Sequence, residues 1–386
     1  MNFKRLSAVG DVLIDRDEPA TAFTPSRAVL QDSDVLFGNC EAVYADGAQP
    51  APSASIPVLG KPEHATGLGV AGFDIMSLAN NHTVDGGYEG LLQTRETLRA
   101  QGIDTCGAGA NAAEARAPIV VERGDWSVAF LAYSCEYPAG YGAGEDRPGI
   151  ATIRTHTIYV PSEMNAFQSG GAPDRLTIAD PRDLATVSRE VEAADKLADV
   201  VVVSVHAGDG SRPAVIMDFE RQIARAVIDA GADVYLGHHH HMLRGAEYHH
   251  GKPIFYGLGH FVFDVLDFES QVPPSVLARM KEHAGEYGYG YREGYPLLPM
   301  HPEARMSMVA VCDFMEDGSI RAGAVPCRLN PEGQPIPLSL NDAAGREVEE
   351  YLGELNTSQG LRGRWQPSQT TVAGFPLLEL VAAEAQ

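Results

Sequence analysis

The run Asp199-Val-Val-Val-Val-Ser-Val205 constrains the fold more than any other stretch of the chain. It is the most strand-like segment present, rich in β-branched residues and apolar without interruption, as a buried strand is. A helical stripe of Leu184, Val187, Val191, Ala194 and Leu197 precedes it. A second helix, predicted over 219–230, follows and leads to a short apolar run, Val234-Tyr-Leu236, which Gly237 breaks. Helix alternating with buried strand in this way specifies an α/β domain.

The same alternation extends in both directions. Short apolar runs at 6–9, 34–37, 73–79 and 253–256 read as strands, and a helix is predicted over 87–100 with Gly102 as its stop. Residues 119–121 and 128–133 form a predicted hairpin around Arg123-Gly-Asp125. Two segments rich in Gly and Pro, 137–181 and 264–305, show little periodicity and are expected to be irregular insertions that wall a pocket. Tyr287, Tyr289, Tyr291 and Tyr295 fall in the second. The organisation expected is one domain over 1–335 and a helical extension over 336–386, where Val348, Tyr351, Leu352 and Leu355 mark a helix.

A net charge of -23 on 386 residues argues against nucleic acid or an anionic membrane as partner, since both need a basic surface. No stretch reaches the roughly 18 apolar residues of a membrane helix, and the N-terminus has no signal-peptide pattern. The expectation is a cytoplasmic protein. Five cysteines without Cys-x-x-Cys spacing indicate neither a disulfide framework nor a cysteine-ligated zinc. There is no phosphate loop, no Gly-x-Ser-x-Gly elbow, and only a lone Gly-x-Gly at Gly107 and Gly109.

Polar clusters close the strand-like runs instead. They are Asp11, Asn39 with Glu41, Asn81 with His82, His206, and the run His238-His-His-His241. Sites in α/β folds are built beyond the carboxyl ends of strands. Carboxylates, an amide oxygen and imidazoles are the ligand set of Zn, Mn or Fe. If the chain stays extended, His239 and His241 point one way and His238 and His240 the other.

These residues also carry a resemblance. Gly10-Asp11, Asn39-x-Glu41, Leu78-Ala-Asn-Asn-His-x-x-Asp85, His206, Gly237-x-His239-x-His241 and Gly257-Leu-Gly-x-Phe261-Val-Phe-Asp264 resemble the CapA (poly-gamma-glutamate capsule biosynthesis) family of the calcineurin-like metallophosphoesterase superfamily. The resemblance implies an α/β sandwich of two central β-sheets flanked by helices, with metal at the loop face. It implies Glu41, Asn81, His206 and His239 as one ligand set, and Asp11 with His241 as a second that Glu41 bridges. His82, held by Asp85, would act as the acid beside the metal, and His260 as a further site residue, a candidate general base. Leu13 stands where the superfamily pattern has a histidine, so either one or two divalent ions fit. His206-Ala-Gly-Asp209 departs from the family's His-Trp-Gly-x-Glu, and His240 and His260 replace its proline and asparagine.

The function implied is a metal-dependent hydrolase acting on a small-molecule or peptide-like substrate, with Arg154, Arg212 or Arg244 available for a carboxylate or phosphate. One alternative is a metal-dependent epimerase of a peptide α-carbon, for which the added histidines would supply acid and base. Another is a non-catalytic capsule or polymer-assembly protein.

Overall fold

A computed structural model describes residues 3–164, 168–265, 268–290 and 300–382. β1 (Phe3–Leu13) is buried over its last nine residues. It pairs with β2 (Val35–Cys40), and β3 (Ile75–Ser77) and β4 (Asp104–Cys106) continue outward in parallel. The chain then builds a second sheet from β5 (Ile119–Arg123), β6 (Trp126–Ser134), β7 (Val200–His206), β8 (Val234–His238), β9 (Ala246–His249) and β10 (Lys252–Phe255). Their spatial order is β9-β10-β8-β7-β6-β5. The first sheet is completed by β11 (His260–Phe263), β12 (Met306–Met315), β13 (Ile320–Leu329), β14 (Pro335–Pro337), β15 (Gly363–Val372) and β16 (Phe375–Ala382). Its path is β15-β16-β13-β12-β1-β2-β3-β4, with β11 also on β1 and β14 on β13.

The valine run forms β7, parallel to both β6 and β8 and buried at every residue. A strand covered on both faces needs no polar alternation, which is why the run is unbroken. Leu6, Phe37, Phe130, Val202 and Leu236 fill the space between the sheets, where the Phe37 and Phe130 rings stack at 5.5 Å. Helix α1 (Gly87–Ala100) packs Leu91 and Leu98 against the first sheet. Helices α2 (Pro181–Ala194) and α3 (Asp218–Asp229) cover the outer face of the second with Val187, Val191, Ile223 and Val227. Asp180 starts α2 by accepting from the Arg182 and Asp183 amides ahead of Pro181. The result is the expected α/β architecture of two sheets flanked by helices.

Three stretches differ from expectation. The segment 137–181 is not irregular throughout, because Thr155–Val160 and Asp174–Ala179 form an antiparallel hairpin. Its side chains are largely exposed, so no apolar face marked it in the sequence. The segment 264–305 contains a helix at Pro274–Glu282; Tyr291 and Tyr295 lie outside the described residues. The C-terminal stretch has its helix, α4 (Ala343–Ser358), with Val348, Leu352 and Leu355 buried. It then returns as the hairpin β15–β16, which extends the first sheet. Half-exposed alternation and Pro367 within β15 concealed that strand. Among the described residues no helix is long and apolar enough to cross a membrane.

Candidate metal centre

The carboxyl ends of β1, β2, β7 and β8 converge. Register sets Asp11 opposite Asn39 and His260, and His206 opposite His238. Gly10 permits the approach of β1 to the chain ahead of β11, since a Cβ there would lie 1.9 Å from the Gly259 carbonyl oxygen. The Asp11 amide donates to that same oxygen at 3.0 Å.

The histidine run does not stay extended. β8 stops at His238, and His239 and His241 take left-handed backbone with φ of 94° and 56°. Such conformations cost on the order of 1–3 kcal/mol each in non-glycine residues and gather at functional sites. Their effect here is to defeat the alternation expected of the run. His239 Nδ1 lies 3.1 Å from His206 Nε2, and His241 Nδ1 lies 3.3 Å from Asp11 Oδ2. His238, expected on the far side, has Nδ1 3.4 Å from Asp11 Oδ1. Only His240 turns away, to Glu220 Oε1 at 2.9 Å.

Glu41 sits at the middle of this cluster. Its Oε1 is 3.6 Å from His206 Nε2, 3.9 Å from His241 Nε2 and 4.0 Å from His82 Nε2. Asn81 Oδ1 is 2.6 Å from His206 Nε2. All six residues expected as ligands are therefore together, and Asp11, Glu41 and His206 offer ligand atoms within 4.8 Å of one another. Both Glu41 carboxylate oxygens are fully buried and receive no hydrogen bond. A buried carboxylate without donors, ringed by imidazole nitrogens, is the chemistry of a cation site. The residues present fit a divalent metal.

The electrostatics of the cluster follow from its burial and its neighbouring charges. Burial, then the neighbouring Asp11 charge, pushes the Glu41 carboxyl well above its usual range. Burial also works on Asp11, but His238 and His241 hold it well below the carboxylate range. Burial and the surrounding imidazoles lower His206 well below its ordinary value and His239 to about 3. Neutral imidazole is the form that binds metal.

Residues around the cluster fix its geometry. Asn39 donates to Asp11 Oδ1 at 2.8 Å, and Asn80 donates to Asn39 Oδ1 and to the Cys40 carbonyl at 3.2 and 2.8 Å. Outer partners of this kind orient ligands. His82 Nδ1 meets Asp85 Oδ2 at 2.7 Å, as the motif implied, and Tyr141 donates to the other Asp85 oxygen at 2.7 Å. Tyr141 and Glu220 carried no signal in the sequence, because each reaches the site from a distant segment.

His260 departs from its expected place. It is fully buried behind His241, with ring centroids 5.8 Å apart, and stacks on Phe263 at 5.0 Å. The three arginines set aside for an anion are all engaged. Arg154 pairs with Asp183 and Arg212 with Asp209, while buried Arg244 donates to the carbonyls of Asp209, Arg212, Val215 and Leu243. A cavity of about 200 Å³ opens beside the cluster, and His82 and His241 line it.

A model of the family described as bacterial capsule synthesis protein PGA_cap matches residues 5–265, a span that encloses every residue of the centre. The chain belongs to that family. It is 29% identical over 380 residues to an uncharacterized protein of Sinorhizobium fredii, covering 83% of this chain and 82% of that one. It is 31% identical over 195 residues to the PGA biosynthesis protein CapA of Bacillus subtilis, covering 50% of this chain and 43% of the relative. A probable polyglutamine synthesis accessory protein of Mycobacterium tuberculosis is 31% identical over 243 residues, covering 61% and 58%.

Proposed function

We propose that this protein is a metal-dependent hydrolase of a small-molecule or peptide-like substrate. The observation that carries the reading is the buried, donor-free Glu41 carboxylate with Asp11 and the His82, His206 and His241 imidazoles around it, His82 being oriented by Asp85 and lining a cavity. Asp11, Glu41, Asn81, His206, His239 and His241 would hold one or two divalent ions. Bound there, such an ion would supply a water of lowered pKa and polarisation of the group under attack.

The chain's own contribution centres on His82. With Nδ1 tied to Asp85, the ring presents Nε2 toward Glu41 and the cavity, and that atom delivers a proton to the leaving group. Tyr141 and the Val58 amide, 2.8 Å from Asp85 Oδ2, hold Asp85 in place. His260 acts by packing behind His241 rather than at the substrate. Hydrophobic walls around His82 and His241 limit water at the reacting bond.

The test is turnover of a panel of phosphoesters, esters and peptides in ¹⁸O-water by metal-loaded protein. The expected result is one ¹⁸O in the product, with His82→Ala retaining metal while losing about 10²–10⁴ in rate. A product of unchanged mass that takes up solvent deuterium would replace hydrolysis with epimerisation. Metal-loaded protein inert toward every class would favour an assembly role.

A further inference from the structure

We infer that the substrate places one neutral aromatic or branched aliphatic side chain in the cavity beside the metal centre. This rests on the hydrolase reading for its reacting bond and deepens it by naming a substrate class. The cavity is lined mainly by apolar side chains, Ile56, Val58, Phe263, Phe268, Met280 and Met300 among them. His82 and His241 line it too, so a side chain seated there lies beside the reacting groups.

Charge decides against an acidic occupant. Among the described residues lining the cavity there is no Lys or Arg, and its two ionisable carboxylates are Asp15 and Asp264. Asp264 is already held by Arg16, whose Nε donates at 2.7 Å. A second cleft, lined by His239, also holds Glu136 and Asp209, so that approach is acidic too. Arg154, Arg212 and Arg244 are spent on Asp183, Asp209 and backbone carbonyls. Among the described lining residues a glutamyl carboxylate would meet like charge and no Lys or Arg. A neutral apolar group meets dispersion contacts from every wall.

Size narrows the class. A dry cavity of roughly 150 Å³ lined by Leu, Ile and Phe admits benzene. About 200 Å³ therefore fits a phenyl, isobutyl or indole group and leaves no space for two. Methionine at two wall positions, Met280 and Met300, lets the site adapt between these shapes.

The experiment is calorimetric and saturation-transfer NMR titration of the full chain, apo and zinc-loaded. The probes are N-acetyl-phenylalaninamide, N-acetyl-leucinamide and indole, set against γ-glutamyl-glutamate. The apolar probes are expected to bind at least about ten-fold more tightly than the acidic dipeptide. Ile56→Trp, which fills the cavity, should abolish that binding, and Ile56→Ala should shift preference from leucinamide toward indole. Tighter binding of γ-glutamyl-glutamate, or apolar binding indifferent to both Ile56 variants, would overturn the inference. Metal content measured on the same samples separates the two claims. Apolar binding without metal uptake sinks the hydrolase reading alone, and metal uptake without apolar binding sinks this one.

Discussion

Replacing Glu41 with Gln removes an ionisable group and preserves shape at the centre of the cluster. The carboxyl is buried, receives no hydrogen bond, and is pushed well above its usual range by burial and by Asp11. That upward shift disfavours the charged form in the metal-free protein, so Glu41→Gln keeps the shape of the site at a cost within about 1 kcal/mol. A metal at 100 times its Kd stabilises the native state by about 2.7 kcal/mol. Unfolding entropy of ~2.1 cal/mol/K per residue over 386 residues gives ~0.8 kcal/mol/K, so the wild type should gain about 3 °C in Tm. Loss of a ligand that weakens binding about 100-fold leaves RT ln 2, a shift of about 0.5 °C. Differential scanning calorimetry with and without zinc or manganese reads both numbers. A Glu41→Gln protein that melts several degrees lower without metal, yet keeps the full metal-induced shift, would refute the reasoning.

Two further perturbations test the frame around the centre. Asn356 on α4 bonds both the Ala246 amide and its carbonyl at 2.8 Å, and the Gly363 carbonyl at 2.7 Å. Asn356→Ala leaves those groups buried and unpaired, and should cost about 3 kcal/mol, or about 4 °C in Tm; an unchanged Tm would mean that the C-terminal hairpin is not docked through α4. Burial, with Glu220 and Asp209 nearby, raises the Glu136 carboxyl from 4.5 to about 7. Its folded value exceeds its unfolded one, so the stability it contributes is present below about pH 4.5 and lost as pH rises through about 7. Urea midpoints of Glu136→Gln should gain on the wild type between pH 5 and pH 8, by about 1–2 kcal/mol after allowing for partial exposure. A parallel pH profile in the two proteins would contradict that assignment.

The parts of the fold legible in the sequence are those where burial dictates residue type. The valine run, the stripe at Val187, Val191 and Ala194, and the helix over Gly87–Ala100 stand where periodicity placed them. The hairpin at Thr155–Val160 and the strand Gly363–Val372 escaped because their faces are half-exposed and polar. The expected ligands come together because each ends a strand or opens the loop after one, a placement fixed by local order. The direction of the imidazoles was not fixed in that way. Left-handed φ at His239 and His241 reorders the run and brings His238 toward Asp11. Nothing local forecasts that turn, since the contacts to Asp11, His206 and Glu220 that accompany it come from remote segments.

Metal content of the purified full chain, measured by plasma mass spectrometry beside His206→Ala and Asn81→Ala, bears most directly on the central claim. The account predicts near-stoichiometric zinc, manganese or iron in the wild type and a fall in both variants. Wild-type protein that stays metal-free after reloading, or variants that keep the full complement, would contradict it.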